Sequence, residues 1–390
     1  MKRNANIEQK YQKKYYLLIV FFLIVIPLFI FNACSENSNV DDPNHMLNLE
    51  PLKDQFNDYF SIGNIFSPSD IGSGKISNKR ITHHYNFITA ENDMKPDKIN
   101  PNRGSYNFST ANSMVNSARA SGLQVVGHTL LWHSQIPAWQ RNLSTDNTSK
   151  ATTLQYMKEY ITRVVTEFKG RIYSWDVLNE AFPDGNYTSD WKTSMRKENP
   201  WFNKIGHEFV YEGFKAARLA DQNTILYYND YNLNMASKAK MVHDMVRDIN
   251  LQWKTDSRYD GKNLIQGIGM QSHHNTGIPA SQIKASLELF KPLGVIISIS
   301  ELDVLSQSWN EYSSNKTLTN EGKAKAASLY GEYFSLFLEY SDIIERVTFW
   351  GLTDTKSWRA RAQPLPFDGK STAKSAYFKI INALEAHKKK

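Results

Sequence analysis

Two glutamates stand where a polypeptide could break a glycosidic bond. Glu180 closes the apolar run Arg171-Ile-Tyr-Ser-Trp-Asp-Val-Leu-Asn179, and Glu301 closes Gly294-Val-Ile-Ile-Ser-Ile-Ser300. Both runs read as buried strands, so both carboxyls are expected at strand tips. Two carboxyl groups held together suit displacement at a sugar carbon: one protonates the leaving oxygen, and the other attacks or activates water. A single glutamate at a strand end is more often a surface charge, so the weight falls on the elements that would bring the two together.

From about residue 52 strand-like runs alternate with helix-period runs. Eight strands are expected: Tyr59 to Ile65, Asn86 to Ala90, Gln124 to Thr129, Ile172 to Leu178, Thr224 to Asn229, Ile265 to Met270, Val295 to Ser300 and Val347 to Gly351. Amphipathic stretches such as Thr152 to Phe168, Phe202 to Leu219, Ser237 to Ile249, Ser281 to Leu289 and Gly322 to Tyr340 separate them. Near-continuous apolar strands crossed over by helices predict an α/β protein with a closed (β/α)8 TIM barrel as one domain. The competing architecture is an open doubly wound sheet, which no Gly-x-Gly-x-x-Gly or Walker sequence supports.

A barrel of this kind carries its chemistry at the carboxyl ends of its strands. Polar, aromatic and ionisable residues follow the expected runs: Glu91, Asn92 and Lys95; His128, Trp132 and His133; Asn179 and Glu180; Asn229 and Tyr231; Gln271, His273 and His274; Glu301 and Asp303; Trp350, with Trp358 beyond. Each has a bland reading as a packed or capping residue, but their recurrence at seven strand ends argues for a site.

Seven motifs carry a family resemblance. They are Glu91-Asn-Asp-Met-Lys95, Gly127-His-Thr-Leu-Leu-Trp132-His133, Trp175-Asp-Val-Leu-Asn179-Glu180-Ala181, Asn229-Asp-Tyr231-Asn232, Gly267-Ile-Gly-Met-Gln271-Ser-His273, Ser300-Glu301-Leu-Asp303, and Phe349-Trp350-Gly-Leu-Thr-Asp354 to Trp358-Arg359. In this order they resemble the glycoside hydrolase family 10 endo-β-1,4-xylanases from Leu52 to Leu384. The resemblance implies a retaining mechanism with Glu301 as nucleophile and Glu180 as acid/base, His273 and Asp303 supporting Glu301, and Asn179 meeting the sugar 2-hydroxyl. It also implies sugar contacts from Glu91, Asn92, Lys95, His128 and Gln271 on the nonreducing side, walls from Trp132, Trp350 and Trp358, and a platform from Tyr231 across the cut. Pro96, where many members have tryptophan, and His274, at a position often apolar, are departures expected to bear on subsite detail rather than chemistry. No cofactor or metal is expected: neither His-Glu-x-x-His nor a cysteine cluster occurs, and the neighbours His83-His84 and His273-His274 would point apart in extended chain.

The N-terminus reads as an export signal. A basic stretch, Lys10 to Lys14, precedes an apolar run from Leu17 to Phe31 that falls short of a spanning helix, followed by Asn32-Ala33-Cys34. Cys34 is the one cysteine in the chain and resembles the lipid-acceptor cysteine of bacterial lipoproteins; plain secretion and an uncleaved anchor are the alternatives. The expected organisation is a signal peptide at 1–33, a polar tether at 34–51 and the catalytic barrel at 52–388. Of the net charge of +7, the first 33 residues supply four, so the remainder carries only +3 and nucleic acid is not an expected partner. Expected partners are xylan or xylo-oligosaccharides and, through the lipid, a membrane; the protein is expected to be a monomer. The alternatives are a retaining β-1,4- or mixed-linkage glucanase and a xylan-binding lipoprotein without catalysis, which intact Glu180 and Glu301 argue against.

Overall fold

A computed structural model describes residues 42–185 and 187–390. The expected signal peptide, Cys34 and the first part of the tether lie outside these residues. Eight parallel strands close a ring: β1 (Ser61–Phe66), β2 (Phe87–Ala90), β3 (Gln124–Leu131), β4 (Ser174–Asn179), β5 (Ile225–Asp230), β6 (Gly267–Met270), β8 (Ile296–Leu305) and β9 (Ile344–Phe349), sealed by β1 against β9 and β6 against β8. Between β6 and β8 the three-residue β7 (His273–Asn275) pairs only with β8. The sequence therefore has the (β/α)8 architecture that its period predicts.

Eight helices pack outside the ring: α1 (Ile76–His84), α2 (Ser109–Ala120), α3 (Lys150–Glu167), α4 (Glu208–Ala220), α5 (Ala236–Lys254), α6 (Ala280–Phe290), α7 (Asn320–Glu339) and α8 (Ser375–His387). In α3 the buried side chains Met157, Tyr160, Ile161, Val164 and Val165 recur every three or four residues, so one stripe faces the barrel. Side-chain caps start two of the long helices: Ser149 accepts from Thr152 N, and Thr319 from Gly322 N.

Glu180 follows β4 directly, as expected. Glu301 does not stand at a strand tip, because β8 runs five residues past the expected end at Ser300. The extension exists because β7 gives it a partner, pairing His273 with Asp303. The β8–β9 ladder shifts register between Ile299 and Leu302, so Glu301 sits where the ring's own pairing breaks. The last strand also starts earlier than expected and ends at Phe349.

Two glycines on β6 make room inside the ring. Gly267 pairs with Tyr227 and Gly269 with Asn229. A Cβ on Gly267 would meet the Tyr227 ring at 2.2 Å, and one on Gly269 would meet Asn229 Oδ1 at 2.1 Å. At the opposite end a buried polar plug fills the barrel. Arg346 Nη1 donates to Ser174 Oγ at 3.2 Å and to Glu345 Oε2 at 3.0 Å, while the Tyr173 and Tyr227 hydroxyls donate to Glu345 at 2.5 Å. Its charges are paired, as burial requires.

The segment 42–51, expected to belong to the tether, is docked on the barrel. Met46 is fully buried, its N–H donates to Ser371 O at 2.9 Å, and Asn44 O accepts from Ala373 N at 2.9 Å. His83 and His84 are helical, not extended: they end α1 and fasten this strap, with His83 Nε2 2.8 Å from Leu49 O and His84 Nε2 2.6 Å from Met46 O. Burial pushes the His84 imidazole down to about 3, so it binds as a neutral ring, with Nδ1 accepting from Leu52 N.

Candidate active site

A groove of about 700 Å³ crosses the carboxyl end of the barrel. Every side chain that the sequence nominates for catalysis or sugar contact lines it: Glu91, Asn92, Lys95, His128, Trp132, Asn179, Glu180, Tyr231, Gln271, His273, Glu301, Trp350 and Trp358. Asp303 lies behind this surface, fully buried. A concave site with a few convergent polar groups among aromatic walls is the form a sugar site takes.

Glu301 is the most tightly held of these groups. Its Oε1 accepts from Asn229 Nδ2 at 2.8 Å, and its Oε2 lies 3.1 Å from His273 Nε2. His273 Nδ1 in turn lies 2.9 Å from Asp303 Oδ2. Asp303 also accepts from Trp358 Nε1 at 3.0 Å and from Arg359 Nη1 at 3.1 Å. Burial opposes charge on every member of this ladder, yet the pairings win. Burial would lower His273, but Asp303 and Glu301 raise it to about 9, so it is an imidazolium at neutral pH and donates from both nitrogens. Burial would raise Glu301, but His273, His128 and the Asn229 amide hold it below the ordinary carboxylate value. Asp303 is held down in the same way by His273, Arg359 and the Trp358 indole.

Glu180 has different company. Its Oε2 accepts from Trp132 Nε1 at 2.9 Å and its Oε1 from Gln271 Nε2 at 3.0 Å; His133 Nε2 lies 3.9 Å from Oε2. Burial, followed by the Arg196 charge, lowers His133 to about 4, leaving it neutral there. The backbone at Glu180 is left-handed, with φ +54°, a conformation that costs a residue with a Cβ roughly 1–3 kcal/mol and persists only when its surroundings enforce it. They do so here: Glu180 N donates to Asn229 O at 2.9 Å, and Arg196 Nε donates to Glu180 O at 3.2 Å. The Asn179 carboxamide lies between Asn229, Gln271 and Trp132, 2.9 to 3.2 Å from each, beside both carboxyls.

At one end of the groove Lys95 Nζ donates to Asn92 Oδ1 at 3.1 Å and to Gln135 Oε1 at 2.6 Å, and it stands 5.1 Å from the Trp132 ring. Burial lowers the Lys95 ammonium against the pull of Glu301, Glu91 and Glu180. Burial raises Glu91, with Lys95 opposing. His128 is fixed by Asp176 at 2.9 Å and meets Trp350 edge-on at 5.7 Å. At the other end Tyr231 accepts from Arg196 Nη2 at 2.9 Å, and the Lys238 ammonium lies 3.4 Å from its ring centroid.

Neither departure from the family pattern puts its side chain among the groove's lining. His274 points away from the groove because alternation along β7 sends it opposite to His273; it is buried 5.3 Å from the Tyr333 ring, and burial lowers it to about 3. Pro96 is buried at the first position of the turn Pro96–Ile99, where proline suits a helix start. The sequence reading also passed over residues that the groove uses. Gln135, at φ +45°, completes the Lys95–Asn92 cluster two positions after a matched motif, and Arg196 clamps both Glu180 and Tyr231. Trp309 and Arg359 line the groove as well.

Residues 51–383 match the family profile described as Glycosyl hydrolase family 10. An endo-1,4-beta-xylanase of Geobacillus stearothermophilus is 33% identical over 344 residues, covering 86% of this chain and 98% of that protein. Endo-1,4-beta-xylanase A of Thermotoga neapolitana is 36% identical over 349 residues, covering 85% of this chain and 31% of that protein. The chain thus spans less than a third of the length of several curated relatives, among them the exoglucanase XynX of Acetivibrio thermocellus. Among solved structures, a GH10 xylanase with a bacterial Ig-like domain from termite gut has a TM-score of 0.85 at 48% identity, covering 88% of this chain and 80% of that one. Xylanase XynB from Paenibacillus barcinonensis has a TM-score of 0.76 at 32% identity, covering 85% and 98%. With the match running through the strand ends that build the groove, the chain belongs to glycosyl hydrolase family 10.

Proposed function

We propose that the protein is an endo-β-1,4-xylanase that cuts internal β-1,4-xylosidic bonds of xylan with retention of configuration. One observation carries the reading: two carboxyls in one groove have opposite surroundings. Glu301 accepts from an imidazolium and an amide, whereas Glu180 meets an indole N–H, an amide and a neutral imidazole. The first environment suits a group that must remain ionised and attack; the second places only neutral donors at hydrogen-bond distance, and the family resemblance gives that carboxyl the acid/base role. Family membership and the xylanases among its relatives support the same assignment.

The reaction follows in two displacements. Glu301 attacks the anomeric carbon while Glu180 gives its proton to the departing oxygen, so a glycosyl ester forms as the glycosidic bond breaks. His273 holds the Glu301 carboxylate in one orientation, and the charge leaving Glu301 in this step is replaced by the Asp303 partnership that keeps His273 protonated. Water then attacks the same carbon, giving its proton to Glu180 as Glu301 departs. Asn179, which shares the Asn229 amide with Glu301 and precedes Glu180, would bond the 2-hydroxyl as positive charge grows at the reacting carbon. Xylose lacks the hydroxymethyl group of glucose, and Trp350 and Trp358 are the walls that would crowd that space. Pocket contacts of this size are worth roughly 10 to 200-fold in rate.

A reducing-sugar assay on a polysaccharide panel tests the substrate. Xylan should be cut at least ~10-fold more efficiently than soluble cellulose derivatives, yielding mostly products of two or more units; equal rates would favour the glucanase alternative. For the roles, Glu301→Gln should lose nearly all activity on every substrate. Glu180→Ala should still form the intermediate from an aryl xyloside with a good leaving group, and a small external anion should speed its breakdown. Equal loss on activated and natural substrates, without an anion effect, would reverse the assignment.

The ladder also predicts a pH dependence of stability. The folded His273 value, about 9, exceeds the ordinary 6.5, so its contribution is complete below about pH 6.5 and is lost as pH rises through about 9. The parent's stability against urea should fall over that window more than that of His273→Gln; parallel profiles would remove His273 from the charged ladder.

The same proposal includes export and lipid anchoring at Cys34, supported by the basic stretch, the apolar run and the single cysteine. Diacylation supplies about 0.8 kcal/mol per buried methylene, enough for stable retention. Cys34→Ala should block lipid attachment and normal processing. A mutant processed and retained like the parent would assign anchoring to the apolar run instead.

A further inference from the structure

One large aromatic in the groove belongs to no motif. Trp309 opens the one-turn helix Trp309–Ser313 in the loop after β8 and is 53% exposed, comparable to the 57% of the wall residue Trp358. Its loop is stiff. Ser308 and Glu311 form a reciprocal capping box, with Ser308 N donating to Glu311 Oε2 at 2.9 Å. Arg361 donates to the Tyr312 carbonyl at 2.6 Å, and the Tyr312 ring packs 5.7 Å from Trp309. Inward, the Arg359 guanidinium lies 5.6 Å from the Trp309 ring and 4.3 Å from that of Trp358, so the two indoles form one rail with a cation between them.

The position of this rail says which sugars it meets. Thr276 N donates to Gln307 O at 3.3 Å, fastening the Trp309 loop to the chain that follows β6 and β7. In the ring β6 stands four strands from β2, which carries Glu91 and Asn92, so the two lie across the barrel mouth from each other. Trp309 is therefore at the end away from the Glu91–Lys95 cluster, and since the family resemblance puts that cluster on the nonreducing side, Trp309 falls to the leaving-group side. An indole face matches the apolar face of a pyranose, and a platform already fixed loses little freedom on binding.

We propose that Trp309 is the platform of a distal leaving-group subsite, stacking a xylosyl unit beyond the one next to the cut and setting a preference for longer chains. This rests on the xylanase reading. The test uses xylohexaose labelled at its reducing end, with xylotriose for comparison. In Trp309→Ala the ratio of kcat/KM for xylohexaose to that for xylotriose should fall ~10-fold, and the main cut should move toward the reducing end because fewer units are held beyond it. Trp309→Tyr, which keeps a ring and serves if the alanine variant is unstable, should restore most of the ratio and the parental cut position. A parent that cleaves xylohexaose with Trp309→Ala matching its ratio and cut position would overturn the subsite alone. A parent that leaves xylohexaose intact would overturn the xylanase reading, and the subsite with it.

Discussion

A buried carboxylate is tolerable only when something buried beside it carries the opposite charge, and the site is built around that constraint. Glu301 must be ionised in a place where burial disfavours ionisation. His273 supplies the countercharge at 3.1 Å, and Asp303 keeps His273 charged at 2.9 Å. Asp303 is balanced in turn by Arg359 at 3.1 Å. The chain of charges alternates in sign, so each step offsets the desolvation cost of the one before it. Removing an interior member would leave a neighbour buried and uncompensated.

Secondary structure exists around this ladder in forms that a plain barrel does not require. β7 is three residues long and adds nothing to the ring, but its register sets His273 opposite Asp303. Gly269 lacks a side chain where Asn229 must lean toward Glu301. The left-handed turn at Glu180 points the second carboxyl into the same groove, and Asn229, Arg196, Trp132 and Gln271 hold it there. The Trp358 indole bonds Asp303, so an aromatic wall of the groove is fastened to the support of Glu301. The groove wall and the orientation of Glu301 thus share one hydrogen-bond network.

The barrel and the lining of its groove were legible in the sequence because both depend on period. Apolar runs alternate with helical stripes, and strand ends fall at regular positions where polar groups collect. What period does not encode was missed. The extension of β8 needs β7, and three residues are too few to show alternation. The strap at 42–51 is polar in composition, yet main-chain bonds to 371–373, the two histidines of α1 and the burial of Met46 bind it to the barrel. His274 looked like a site residue because it adjoins one, and only the pleat of β7 decides which of the two faces the groove. Arg196 and Trp309 arise from loops, where neither spacing nor alternation marks a functional side chain.

The central claim is that Glu301, held ionised by the ladder, forms a covalent bond to the sugar. An aryl xylobioside fluorinated at C2, which slows both displacements while its good leaving group spares the first, would hold the enzyme at the ester stage. Mass spectrometry of the digested protein should then find the fluorinated disaccharide on the peptide containing Glu301 and on no other. A label on Glu180, or full turnover of natural substrate with inverted product and no label at all, would contradict the account.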